Sequence, residues 1–273
     1  MTEAMNRGIL TLLAGVFAAL ALSGEGCAKV RPEERLTKAN DAIVGHRYEA
    51  AQKEYLSLLK DLSGDDARTI KLKRKTLYRL GRLNYLFLNQ PEQAIDYYRQ
   101  VITIDPRAPL SFNALAGMGK IYQDTMRDYP QAVLAYQTLT AYFPKHRHID
   151  RYRRRLIETY FKMGNFSQVR SEGMAAVAAM QGSQYADDVL YLVAEACLME
   201  GDKDAARATL ERITTGYPNG EWASQAHYEL GEICISAGDN PGALRHFEAA
   251  LPGMKDSAVL KRKIGQLTKK AKE

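Results

Sequence analysis

Small and aromatic residues recur in this chain about every 37 positions, and that period restricts the fold more than any other feature. The anchors are Ala94, Ala132, Val169, Ala206 and Ala243, spaced 38, 37, 37 and 37 residues apart. Four residues after each stand Tyr98, Tyr136, Gly173, Leu210 and Phe247, and twelve after three of them stand Pro106, Pro144 and Pro218. A fixed period of this size marks a stack of one supersecondary unit rather than a closed globule. Arrays of that kind bind other macromolecules along a concave face.

From Arg35 to Lys272 apolar residues recur at steps of three and four, and no run alternates with period two, so the pattern is helical throughout. Turn signals stand at Gly45, Asn89-Gln90-Pro91, Tyr129-Pro130, Gly164-Asn165, Gly201-Asp202 and Gly238-Asp239. Longer breaks stand at Ser63-Gly64, Asp105-Pro106, Phe143-Pro144, Gly182-Ser183 and Tyr217-Pro218-Asn219-Gly220. Short turns alternating with longer breaks describe antiparallel helix pairs in series.

The segments Leu80-Gly81-Arg82-Leu83-Asn84-Tyr85, Gly119-Lys120-Ile121-Tyr122 and Leu230-Gly231-Glu232-Ile233-Cys234 precede these alanine, aromatic and proline positions. Together they resemble the tetratricopeptide repeat (TPR). The resemblance implies an all-α, right-handed superhelical solenoid of about six TPR helix pairs. The array is expected over 33–252, in units near 33–62, 71–106, 108–144, 147–181, 184–218 and 221–252. The fourth is the weakest, with Val169 for alanine and Gly173 for the aromatic. Residues 253–273 are expected to form a C-terminal capping helix and basic tail, because a terminal unit otherwise exposes its apolar side.

The start of the chain reads as an export leader over 1–26. Arg7 precedes a fifteen-residue apolar run from Gly8 to Leu22, the length of a signal core and short for a bilayer span. Cys27 behind it resembles a bacterial lipoprotein processing site, with 27–32 as a lipidated tether, although Gly24 stands where such sites usually carry leucine. An ordinary secretory signal cut after Ala21 or Ala28, or an uncleaved anchor, are the alternatives. The formal charge is +6 and the pI about 9.1, a balance that suits nucleic acid, anionic lipid or an acidic partner. Export argues against nucleic acid. Cys197 and Cys234 occupy equivalent places in neighbouring units. Such places lie roughly 8–10 Å apart on packed helices, beyond the reach of about 7 Å for a disulfide, so both are expected as buried thiols.

A period longer than 34 is similar to the envelope TPR proteins of BamD and YbgF type; a leader followed directly by TPRs is similar to BamD, whereas YbgF carries a coiled coil before its repeats and no heptad run precedes them here. That resemblance implies a scaffold at the periplasmic face of the outer membrane, in envelope assembly and in a BamD-like role in outer-membrane protein assembly. The alternatives are a soluble periplasmic adaptor of the Tol–Pal or cell-division type, and a pilus or polysaccharide secretion lipoprotein. Partners are expected to be envelope proteins presenting a peptide or helix, and a membrane through the anchor, with no nucleic acid and no small-molecule substrate.

In a TPR the first helix of each pair lines the groove, at its positions 2, 5, 9 and 12. The resemblance therefore assigns Lys75, Tyr78, Arg82 and Tyr85 to the groove in unit two, and Asn113, Ala116, Lys120 and Gln123 in unit three. Unit four gives Arg151, Arg154, Glu158 and Phe161, unit five Asp188, Tyr191, Glu195 and Leu198, and unit six Gln225, Tyr228, Glu232 and Ile235. Tyr78, Tyr191 and Tyr228 share one position; they either offer contact area to a partner or pad the stack of first helices. The charges run from basic over units two to four to acidic over five and six, which would orient a docking chain; ordinary solvated faces are the alternative.

No enzyme is expected. The five histidines complete no metal set, no HExxH or GxSxG is present, and Gly117-Met118-Gly119-Lys120 lacks the spacing of a phosphate loop. No cofactor is expected.

Overall fold

The computed structural model describes residues 30–254 and 257–270. The expected leader over 1–26 and Cys27 lie outside them. Among the described residues every regular element is helical and there is no strand. Thirteen α-helices follow one another: α1 Pro32–Val44, α2 Tyr48–Asp61, α3 Ala67–Leu86, α4 Pro91–Ile104, α5 Pro109–Lys120, α6 Tyr129–Tyr142, α7 Ile149–Lys162, α8 Phe166–Ala179, α9 Ala186–Met199, α10 Lys203–Gly216, α11 Ala223–Ser236, α12 Asn240–Ala250 and α13 Ala258–Lys270. A π-helical turn, Ile121–Met126, extends α5. None of these helices is long and apolar enough to cross a membrane.

The chain divides into two compact units, Met1–Thr76 and Leu77–Glu273, with the break inside α3. In the first, α1 and α2 form a hairpin closed by Leu36, Ala39 and Ala42 against Ala51, Tyr55 and Leu58. The Tyr55 hydroxyl donates to Asn40 Oδ1 at 2.6 Å. Arg35 bridges the hairpin, meeting Glu54 at 2.8 Å as well as Asp61.

The second unit is a helical solenoid. From α4 to α13 each helix packs on its neighbours in sequence, and α7 also packs on α9. The glycines of the first helices explain the period. A Cβ on Gly81 would lie 2.7 Å from Tyr98 Cδ1, and one on Gly117 would lie 2.8 Å from Tyr98 Cε2. Tyr98 on α4 is thus held between bare backbone of its own unit and bare backbone of the next. Gly119 seats Tyr136 and Gly231 seats Phe247 in the same way, and both rings are fully buried. Unit four reverses the arrangement: Gly173 lies on the second helix, and Val193 of the following helix fills the space, with Cγ2 at 2.5 Å from the site of a Cβ.

Turns within pairs repeat as regularly. Arg127, Gly164, Gly201 and Gly238 all have positive φ, between 55° and 79°, the left-handed residue that ends many helices. Asp128, Asp202 and Asp239 follow and cap the next helix through a backbone N–H three residues on. The single 38-residue interval comes from the π-helical turn, since a π turn is an α-helix with one residue inserted. The helix α13 buries Leu260 and Leu267 in one apolar cluster with Phe247, Ala250 and Cys234. Cys197 and Cys234 are buried, free thiols.

Candidate protein-interaction face

Consecutive first helices of the second unit are joined side by side through polar and aromatic contacts. The hydroxyls of Tyr85 and Thr125 lie 3.3 Å apart. Arg155 on α7 reaches back to Gln123 Oε1 at 2.7 Å and Asp124 Oδ1 at 3.0 Å. Arg154 lies 3.4 Å from Asp188 on α9 and over the Tyr185 ring at 6.0 Å. The indole N–H of Trp222, at the start of α11, donates to Asp188 at 2.7 Å, and its ring stacks on Tyr191 with centroids 4.1 Å apart and planes at 12°. Lys263 on α13 donates to Tyr228 at 3.1 Å and ion-pairs with Glu232.

These contacts sort the sequence candidates. Arg82, Lys120 and Arg151 are exposed, and Tyr85 is half-buried. Lys75 is exposed too and belongs to the first compact unit. The tyrosine column is engaged internally. Tyr78 tilts against Tyr98 at 5.8 Å and Tyr228 against Phe247 at 5.7 Å, while Tyr191 is only 6 % exposed beneath Trp222. The acidic end is half-buried. Burial pushes the Glu195 carboxyl above its usual range. Burial does the same to Glu229, which sits near Glu195 and Glu232 and accepts from Gln225 at 2.9 Å. Gln123 is drawn inside, because the π turn rotates it under Tyr136, whose hydroxyl donates to it at 3.1 Å.

An apolar column runs beside the charged positions. It consists of Tyr85, Phe161, Leu198 and Ile235, the last three at 37-residue steps near the ends of their helices. Leu86, Met126 and Met199, 50 %, 37 % and 66 % exposed, extend it toward the turns. Sequence reasoning overlooked Trp222, Glu229 and Lys263. The lone tryptophan, placed just before a first helix, was the available signal for the first of these. Among the described residues no group of three or more His, Cys, Asp or Glu could hold a metal ion.

Two stretches, 75–107 and 188–220, match family models of the tetratricopeptide repeat. No curated protein matches the sequence. Among solved structures, YrrB, a TPR protein with an unusual peptide-binding site, superposes with a TM-score of 0.52 at 16 % identity, covering 73 % of this chain and 98 % of that one. MamA from Desulfovibrio magneticus RS-1 does so with a TM-score of 0.50 at 18 % identity, over 66 % and 94 %. PilW, a widely conserved type IV pilus biogenesis factor, gives 0.48 at 14 %, over 86 % and 99 %. At these identities the likeness is one of fold.

Proposed function

We propose that this chain is a non-catalytic docking scaffold that holds a peptide or helix of an envelope protein along its first helices, at the periplasmic face of the outer membrane. The observation that carries this reading is the apolar series of half-buried Tyr85, Phe161 and Leu198 and exposed Ile235, the last three repeated at the 37-residue step of the array. Isolated exposed apolar residues are ordinary, whereas an aligned series of them marks a surface kept for a partner. The neighbouring charges add direction: Arg82, Lys120 and Arg151 favour acidic residues at one end, and Glu195 and Glu229 favour basic ones at the other.

The membrane part of the reading rests on the leader and Cys27. Three acyl chains on that cysteine, each buried CH₂ contributing about 0.8 kcal/mol, would make anchoring effectively permanent. Within the envelope, outer-membrane protein assembly in the manner of BamD is the role to test first. In native cells, Arg82→Glu with Lys120→Glu, and separately Leu198→Asn with Met199→Asn, should lower co-purification of the partner at least about tenfold while the protein level holds. Unchanged recovery in both variants refutes docking along this face. Cys27→Ser should move the protein from the membrane to the soluble fraction. Full membrane retention refutes the lipid anchor, and solubility of the unaltered protein supports a free periplasmic adaptor instead.

A further inference from the structure

A cavity of about 640 Å³ opens where α11, α12 and α13 meet, at the last end of the same face. This lies within the range of roughly 300–1,000 Å³ common for ligand sites. Its apolar lining comes from Ile235, backed by the buried Phe247 and Leu267. Ile235 is 41 % exposed there and supplies the accessible apolar surface. Its charged lining is unbalanced, with Lys263, Lys269 and Lys270 against the single acid Glu232. Glu232 is already neutralised by Lys263, so that pair contributes no net charge. Lys269 and Lys270 are exposed at the rim and form no ion pair among the described residues.

We propose that this cavity takes a large apolar side chain of a partner peptide flanked by carboxylates. An apolar anchor in a closed pocket supplies most of the binding energy of such contacts. The two uncommitted lysines select acidic neighbours and speed the encounter, an effect that weakens as salt rises. The proposal rests on the docking-scaffold reading and gives that scaffold a chemically distinct terminus. A chain lying on the apolar column would end here, with its acidic, apolar segment against α13.

The test is fluorescence anisotropy on the purified protein with three labelled peptides of equal length. One carries a phenylalanine between two aspartates on each side, the second replaces the aspartates by asparagine, and the third replaces the phenylalanine by alanine. Saturable binding of the first, weaker by at least about fivefold for each of the others, is expected. Ile235→Asn should weaken it about tenfold. Lys269→Gln with Lys270→Gln should weaken it about fivefold or more and flatten its salt dependence; both residues are exposed. Equal binding of all three peptides, or no effect of these variants, overturns the proposal. If the first peptide binds and only Arg82→Glu with Lys120→Glu reduces it, the scaffold stands and this cavity is not the site. If the peptide enters the cavity while both Arg82→Glu with Lys120→Glu and Leu198→Asn with Met199→Asn leave native partner recovery intact, the scaffold reading falls and the cavity survives. If no peptide binds and the lysine variant instead loses adhesion to phosphatidylglycerol vesicles, the lysines serve a lipid surface and the proposal is wrong.

Discussion

Replacing Gly119 by alanine inserts one carbon where the ring of Tyr136 lies. The new Cβ would stand 2.7 Å from Cζ and 2.8 Å from Cδ1 of that ring. Carbon atoms settle at about 3.5–4.0 Å, so the overlap is roughly 0.7–1.3 Å. The ring cannot yield easily: it is fully buried, and its hydroxyl is held by Gln123. Overpacking of this kind costs about 1–3 kcal/mol. Alanine recovers about 0.8–1.0 kcal/mol of helix propensity, leaving a net loss of up to about 2 kcal/mol. In a unit of this length that corresponds to a fall in Tm of up to about 8 °C. Gly265 on α13 is the internal control, because a Cβ there meets nothing within 4 Å, and Gly265→Ala should stabilise by about 0.5–1 kcal/mol. Thermal and urea unfolding should be followed by circular dichroism and by Trp222 fluorescence together, since arrays can open in parts. In a Tyr136→Leu background the penalty of Gly119→Ala should shrink by about 1 kcal/mol or more. If Gly119→Ala stabilises as Gly265→Ala does, close ring-to-backbone packing is not what sets the repeat.

Two further expectations come from the turns and from the last helix pair. Arg127 occupies the left-handed position that glycine holds at 164, 201 and 238; a side chain there costs roughly 1–2 kcal/mol, part of which glycine loses again in the unfolded chain, so Arg127→Gly should raise Tm, and a fall would refute the strain. His227 and His246 face each other with Nδ1 atoms 3.2 Å apart. Burial lowers both pKa values first; after that His246 lowers His227, and Arg245 lowers His246. Because both folded values lie below the unfolded one near 6.5, the contribution of the pair is complete above pH 6.5 and is lost as pH falls through the folded values. The Tm should therefore drop more steeply between pH 7 and 5 in the unaltered protein than in His227→Gln/His246→Gln. Equal slopes would show that the pair does not couple protonation to folding.

The helices and their pairing were legible because glycine, alanine and aromatic positions recur for a steric reason that acts locally. The single interval of 38 carried structural information as well, yet a spacing alone does not distinguish a longer loop from a π turn inside the helix. The face was less legible. Position 5 of a first helix can serve the groove or the neighbouring helix, and for Tyr191 the outcome depends on Trp222, 31 residues away in sequence. Glu232 illustrates the same difficulty: its charge belongs to the groove by register, but α13 brings Lys263 onto it. Contacts between adjacent repeats decide which candidates remain free, and those contacts depend on rotation of each helix about its axis, which periodicity specifies only coarsely.

The attachment of α13 has a kinetic side. Among the described helices it packs chiefly on α12, so its fraying breaks one main seam. Whenever it lifts away, the ring of Phe247 and the apolar cluster around it meet solvent. The dryness of that ring lasts only as long as the grip of this helix.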